Sequence, residues 1–327
     1  MVILQKLIPL VRPIQSRIVC VMSSLASVSY DKSDLTTIVP SLTHNLHKGQ
    51  CGRIAVIGGS LEYTGAPYFA AMTALRLGAD LAHVFCMKEA GSAIKSYSPD
   101  LIVHPILDGN CGSIKDWLPR MHAVVVGPGL GRDMCDKMLE VLTWLKRYEV
   151  LTVIDADGLH IVTQNPEILC DWKNVIVTPN IVEYDRLLAA CRKFQQQKSD
   201  SDDTTTGIDS LDADAFLTRC FPDLLVVRKG PLDKIFDGVS VCEVGGGSAR
   251  RCGGQGDVLA GAIAVFSYWS SLTVGGVKGN MLGAYAGCYF TRRLNEKVFA
   301  ERGRSMVTGD FIEKIGPVFQ EVFDDDK

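Results

Sequence analysis

The sequence concentrates its chemistry in one stretch, Gly245-Gly-Gly-Ser-Ala-Arg-Arg-Cys-Gly-Gly-Gln-Gly-Asp257. Six glycines precede a single carboxylate, and an apolar run follows at once over residues 258–266. Glycine lets a backbone approach a ligand closely and take φ > 0. A helix that begins directly after such a loop points its free N–H groups back into it, and those groups attract anions. An acid inside an anion cradle would repel a phosphate that merely had to be bound. It has a use if Asp257 takes a proton from an attacking hydroxyl while the helix end stabilises a transferring phosphoryl group. The competing reading is helix capping, for which Asp is a common residue. The spacing fits neither a P-loop, which needs Gly-Lys-Ser/Thr, nor a dinucleotide fingerprint with an acid about 20 residues further on.

Other clusters have a functional and a plain reading side by side. Gly127-Pro-Gly-Leu-Gly131 either lets a backbone lie against a flat or phosphorylated ligand or is a tight turn. Asn180 and Glu183, three apart, either offer oxygens to a hydrated Mg²⁺ or place an acid at a helix start to complement its dipole. Lys229 and Gly230, with Asp233 nearby, either contact a nucleotide or form a turn suited to Pro231. Arg250 and Arg251 either neutralise phosphate or are a solvated pair. Asp155 and Asp157 either bind a metal or cap a helix, and Glu62 and Tyr63 beside Gly65 are placed to touch a substrate.

The elements that must position these residues alternate. Short apolar runs at 53–60, ending in Gly-Gly-Ser, and at 81–87, 101–105, 123–126, 151–155, 175–180 and 224–230 read as strands with their polar ends. Helical patterns at 68–78, 134–147, 258–266, 277–294 and 309–322 lie between or after them, and 31–48 has helical spacing. Residues 234–236 and 240–244 read as a hairpin around Asp237 and Gly238. Strands alternating with helices predict a mostly parallel sheet covered on both faces, a three-layer α/β/α fold. Ligands bind such sheets beyond the carboxyl ends of the strands. The polar and glycine-rich clusters at 58–60, 127–131, 155–158, 180–183 and 229–230 all fall there. One site built from successive strand-end loops is expected.

Length and composition set bounds. The 327 residues suffice for a large core, and residues 31–327 read as one domain. Residues 192–214, polar and acidic, read as a flexible insertion within it. Net charge is −3, which gives no reason to expect nucleic-acid binding, and no apolar run approaches the roughly 18 residues of a membrane span. Eleven cysteines without a Cys-x-x-Cys pair argue against a zinc site and a disulfide scaffold, and His44 and His47 read as surface residues. Residues 1–30 carry Lys6, Arg12, Arg17 and several serines, and the first acid is Asp31. That composition reads either as a mitochondrial or plastid transit segment or as a disordered tail on a cytoplasmic protein, and not as a secretory signal.

Several of these motifs, in order, resemble one branch of the ribokinase-like superfamily, the ATP-dependent NAD(P)H-hydrate dehydratases. The likeness runs over about residues 45–320. It rests on Gly58-Gly-Ser-Leu-Glu-Tyr-Thr-Gly-Ala-Pro67, Val126-Gly-Pro-Gly-Leu-Gly-Arg132, Ile154-Asp-Ala-Asp-Gly158, Thr178-Pro-Asn-Ile-Val-Glu-Tyr-Asp-Arg186, Val227-Arg-Lys-Gly230 and Arg251-Cys-Gly-Gly-Gln-Gly-Asp257. The resemblance implies a ribokinase-like fold and ATP-dependent dehydration of the (6S) hydrate of NADH or NADPH, with Mg²⁺ accompanying ATP. It implies that the hydrate meets Gly131, Asn180, Ile181, Val182, Glu183, Tyr184, Asp185, Arg186 and Asp257. It places ATP against Lys229, Gly230, Pro231, Leu232 and Asp233, and against Gly247, Ser248, Ala249, Arg250, Arg251, Cys252, Gly253, Gly254, Gln255 and Gly256. Asp257 is the implied base, and Asn180 with Glu183 the implied metal contacts through water.

Tyr184 and Asp185 stand where Phe and Ser are frequent in that family, and Pro231-Leu232 varies there. Some relatives carry a fused epimerase domain, for which this chain has no room, so an epimerase partner is expected as a separate protein. A homo-oligomer is compatible with the sequence. The alternative enzyme is a vitamin-precursor kinase of the same superfamily, acting on a hydroxymethylpyrimidine or hydroxyethylthiazole. A non-catalytic nucleotide sensor would have no need of Asp257.

Overall fold

The computed structural model describes residues 25–109, 111–199, 211–274 and 276–324. Ten strands form a single sheet: β1 Ala26–Ser27, β2 Arg53–Ile57, β3 Leu81–Cys86, β4 Ile102–Pro105, β5 Ala123–Val126, β6 Leu151–Ile154, β7 Val175–Val177, β8 Leu224–Arg228, β9 Asp233–Phe236 and β10 Ser240–Val244. Their order is β1-β10-β9-β8-β7-β6-β5-β2-β3-β4. Only β9 runs antiparallel to its neighbours; every other pairing is parallel. Eleven α-helices accompany them among the described residues: α1 Lys32–Thr37, α2 Gly65–Leu77, α3 Lys88–Tyr97, α4 Cys111–Lys115, α5 Cys135–Arg147, α6 Asp157–Gln164, α7 Ile181–Ser199, α8 Ala213–Cys220, α9 Gln255–Thr273, α10 Gly276–Arg302 and α11 Thr308–Phe323.

Strand residues point alternately to opposite faces, so a strand covered on both sides must be apolar throughout. In β2, Ile54 and Val56 join one core with Leu77 of α2, Ile263 of α9 and Phe311 of α11. Ala55 and Ile57 join a second core with Leu142 of α5, Leu159 of α6 and Leu187 of α7. The three layers follow, as the alternation of elements predicts. Among the described residues, no helix is long and apolar enough to cross a membrane.

The topology fixes where a ligand goes. From β2 the chain moves outward through β3 and β4, then returns to place β5 on the other side of β2. The crevice between the carboxyl ends of β2 and β5 is therefore a topological switch point, and loops 58–60 and 127–131 flank it.

Several boundaries differ from the sequence reading. β1 lies within residues 1–30 and is bonded to the sheet edge, Ala26 N to Val239 O at 2.9 Å and Val28 N to Val241 O at 2.9 Å. The folded chain therefore begins before residue 31; residues 1–24, with the rest of the transit-like composition, lie outside the described residues. The first part of the expected insertion, residues 192–199, continues α7, while residues 200–210 lie outside the described residues. Helix α1 ends at Thr37, and His44 and His47 are exposed residues beyond it. Helices α3 and α4 have no counterpart in the sequence reading.

Candidate active site

Asp257 sits in the first turn of α9, the third residue of the helix, and Gly254 is the N-cap. The capping alternative therefore does not hold. Gly254 has φ +94°, and a Cβ there would stand 2.9 Å from Phe69 of α2 and 2.9 Å from Thr308 of α11, so only glycine fits where the loop turns into the helix. Thr308 Oγ1 donates to Gly253 O at 2.5 Å and fixes the turn from the other side. No hydrogen bond engages the Asp257 carboxylate among the described residues. Burial, and next the negative charge of Asp155, raise its pKa to about 7, with Lys229 opposing them.

Asp155 follows β6 and is buried. Its Oδ1 accepts from Lys229 Nζ at 2.7 Å and from Thr178 Oγ1 at 2.9 Å. Burial pulls the Lys229 ammonium down, but Asp155 and Glu183 more than offset this, leaving its pKa raised. Asp157 Oδ2 accepts from Gly131 N at 2.9 Å and fixes the end of the 127–131 loop. Between these two acids Ala156 takes φ +47°, a strained conformation for a residue with a Cβ.

The first two glycine loops pack on their neighbours. A Cβ on Gly58 would lie 2.1 Å from Pro128 O, and one on Gly127 would lie 1.8 Å from Asp155 O. At Gly127 the tight-turn reading is therefore correct. Gly131 differs, since a Cβ there would meet Ser60 at an ordinary contact distance of 3.6 Å.

Asn180 and Glu183 form a reciprocal cap on α7. Asn180 N donates to Glu183 Oε2 at 2.8 Å, and Glu183 N donates to Asn180 Oδ1 at 3.0 Å. The plain reading is thus realised, with Glu183 Oε1 left unbonded. Burial raises the Glu183 pKa, and Lys229 opposes the rise. Ile181 and Val182 are exposed at 56% and 55%, and Asp185 and Arg186 are also at the surface. Tyr184 is not, which corrects the expectation of substrate contact through its side chain. It is buried, and its hydroxyl donates to Asp214 Oδ1 of α8 at 2.6 Å.

A cavity of about 590 Å³ opens between Asn180 and Ile181 on one side and the loops after β8 and β10 on the other. Lys229, Gly230, Pro231, Asp233, Gly247, Arg251, Cys252, Gln255 and Gly256 line it, as do Gly246, Leu259, Thr291, Arg292, Asn295 and Phe311. Gly253 adds open backbone, with nothing within 4 Å of a Cβ placed on it. Asp233 is buried and both its oxygens are engaged, Oδ1 by Gly230 N at 3.0 Å and Oδ2 by Arg292 Nε at 2.7 Å. It shapes the loop, and each oxygen keeps a further lone pair on the cavity wall. Leu232 is 53% exposed and, with Ser248, Ala249 and Arg250, is not among the cavity's lining residues.

Three functional residues on α10 were missed in the sequence. Arg292 also donates to Pro231 O at 2.9 Å, Gly246 O at 2.7 Å and Gly230 O at 2.8 Å. Asn295 Oδ1 accepts from Ser248 N, and Glu296 Oε1 accepts from Gly247 N at 2.8 Å. Together they hold the loops that line the cavity. Their spacing at i, i+3 and i+4 puts them on one face, but Arg293 and Lys297 beside them hide that pattern in the sequence.

The arrangement can hold an anionic chain along the glycine loops and deliver its end to Asp257. Comparison with known proteins decides the family. A family model described as NAD(P)H-hydrate dehydratase matches residues 54–317. The chain belongs to the NAD(P)H-hydrate dehydratase family. It is 46% identical over 294 residues to the ATP-dependent (S)-NAD(P)H-hydrate dehydratase of Ciona intestinalis, covering 88% of this chain and 79% of that one. To the enzyme of the same name from Homo sapiens it is 43% identical over 300 residues, covering 88% and 83%. The fold is similar to that of a ribokinase-like superfamily protein from Enterococcus faecalis, with a TM-score of 0.70 at 18% identity over 90% of this chain and 95% of that one. It is also similar to an ADP/ATP-dependent NAD(P)H-hydrate dehydratase from Bacillus subtilis, with a TM-score of 0.65 at 17% identity over 91% and 99%. The dehydratase family's fold is therefore the ribokinase-like one expected from the motifs.

Among the described residues, no group of three or more His, Cys, Asp or Glu side chains is arranged to hold a metal directly. Asn180 on the cavity wall and Glu183 beside it nevertheless offer oxygen donors. That set suits a hydrated cation better than a bare one.

Proposed function

We propose that this chain uses ATP to dehydrate the (6S) hydrate of NADH or NADPH and so restores the reduced cofactor. The observation that carries the reading is an Asp257 carboxylate without a hydrogen-bond partner, at the start of α9 beside the cavity, with its pKa raised to about 7. A general base works best when its pKa lies near the working pH. Its relatives' names supply the substrate and the requirement for ATP.

The chemistry follows from placement. ATP lies along the wall made by Lys229, Gly230, Arg251, Cys252 and Gln255, with its phosphates toward the start of α9. The hydrate enters at the switch point, against Gly131, Asn180, Ile181 and Val182. Asp257 accepts the C6 hydroxyl proton as that oxygen attacks the γ-phosphorus, and ADP leaves. The free N–H groups of the first turn stabilise the transferring charge. The C6–O bond then breaks, driven by the ring nitrogen lone pair, so phosphate departs and, with loss of a proton, the ring double bond re-forms. Mg²⁺ accompanying ATP would supply further positive charge, and Asn180 and Glu183 are the residues to hold it through water.

Supply of the (S) epimer calls for a separate epimerase as functional partner. The basic, acid-free composition of residues 1–24 supports delivery to a mitochondrion or plastid, and a reporter fused to that segment tests it. The enzymatic test mixes protein, ATP, Mg²⁺ and prepared NADH hydrate and follows the dihydronicotinamide absorbance. ATP-dependent recovery that drops by a factor of about 10²–10⁴ in Asp257→Asn is expected. ATP consumption on a thiazole or pyrimidine alcohol, with no recovery on the hydrate, would sink the reading.

A further inference from the structure

Asp155 has no part in the reaction above, yet it is buried against the turn that carries the base. Its Oδ2 and Lys229 Nζ each lie 3.6 Å from the position a Cβ on Gly256 would take, next in sequence to Asp257. Lys229 also approaches Glu183 Oε2 at 3.8 Å. The charged groups around Asp257 are therefore Asp155 from the end of β6, Lys229 from the end of β8 and, through Lys229, Glu183 from α7.

We propose that Asp155 is a positioning residue: it holds the Lys229 ammonium at the strand ends, keeps it from closing onto Asp257, and so leaves that carboxylate free to accept a proton. The inference rests on Asp257 being the base. A lysine head on its flexible four-carbon stem moves to the best available carboxylate. Asp155 wins because it is buried, where water screens the attraction least, and because the Thr178 hydroxyl donates into the same oxygen and fixes its direction. Without that anchor the ammonium would pair with Asp257, weaken it as a base and fill the space the substrate hydroxyl needs. With it, the cation stays on the cavity wall, where its charge faces incoming phosphate.

The test is the pH dependence of turnover in three variants. Asp155→Asn removes a like charge and releases Lys229, so the acid limb of kcat moves down by about one to three pH units, with a lower plateau. Lys229→Met removes the opposing charge, so the limb moves up. The double variant brings it back toward the wild type. A ¹³C-carboxyl NMR titration of the ligand-free protein reads the same quantity without catalysis, the Asp257 resonance being assigned by its loss in Asp257→Asn. If Asp155→Asn does not fold, Thr178→Val, which withdraws only the hydroxyl, gives a smaller shift of the same sign. A folded Asp155→Asn whose limb and resonance stay in place overturns the proposal, since a merely structural residue would lower the rate without moving either. A wild type inactive on the hydrate, with the resonance still moving, would refute the proposed reaction and leave the positioning intact.

Discussion

Asp257→Asn is expected to lower turnover by a factor of about 10²–10⁴ and at the same time to stabilise the protein above neutral pH. Burial, and then the charge of Asp155, raise the Asp257 pKa from 3.8 to about 7, and Lys229 recovers only part of the loss. The folded chain therefore binds this proton more tightly than the unfolded chain does. Stability falls as pH rises between about 4 and 7, and the deficit is complete above the folded pKa. A rise of about three pH units sets a ceiling of about 4 kcal/mol. The carboxylate keeps some contact with solvent, so about 1–3 kcal/mol is expected at pH 8. Asparagine has the same shape and no charge, and it escapes the deficit. Urea unfolding of both proteins at pH 5, 6.5 and 8 reads the difference as a shift in midpoint at unchanged slope. The variant's advantage should grow across that series. A variant no more stable than the wild type at pH 8, or an advantage independent of pH, would refute the reasoning that ties a strained charge state to the base.

Arg292→Met leaves the buried Asp233 with one oxygen unpaired and frees three carbonyls, so a loss of about 3–5 kcal/mol in urea unfolding is expected. Arg292→Lys keeps the charge but not the planar fork, and steady-state kinetics should show a raised KM for ATP. Gly254→Ala forces a side chain into positive φ against Phe69 and Thr308 and should cost more than about 1 kcal/mol, whereas Gly253→Ala meets nothing and should stay within about 0.5 kcal/mol. Thermal unfolding of the two variants side by side checks that contrast. Asn180→Ala removes the cap of α7 and should cost about 1 kcal/mol on the same measurement.

The sheet was legible because its strands are buried on both faces. A run such as residues 123–126 can be little else, and glycine or a polar cluster marks each strand end. What escaped was held by tertiary contact. β1 is two residues paired at a sheet edge, too short for any pattern. Helix α7 continues through glutamines and lysines to Ser199 because one face stays buried through Leu187 and Cys191, although its composition resembles a loop. In the site, the glycine loop and its acid lie together as their spacing suggests, with Asp257 in the first turn of α9 and Gly247 and Gly256 on the cavity wall. Tyr184 was assigned to a ligand because it stands inside a motif string, but a string does not say which way a side chain points, and this one turns into the second core. Asp233 lines the cavity and also ties the loop after β8 to α10.

The contradiction that marked the site in the sequence, an acid among anion-binding groups, is resolved by two charges the sequence kept far apart. Asp155 and Lys229 are separated by 74 positions and meet at 2.7 Å because β6 and β8 flank β7 in the sheet. Burial and then Asp155 raise the proton affinity of Asp257, and Lys229 limits that rise while lining the cavity. A carboxylate near neutrality can share a site with phosphate, since it is partly protonated when the anion arrives and charged when the hydroxyl must lose its proton. The parallel order of three adjacent strands thus sets the charges around Asp257: with Asp155 moved away, burial alone would hold its pKa up, and with Lys229 moved away it would rise further.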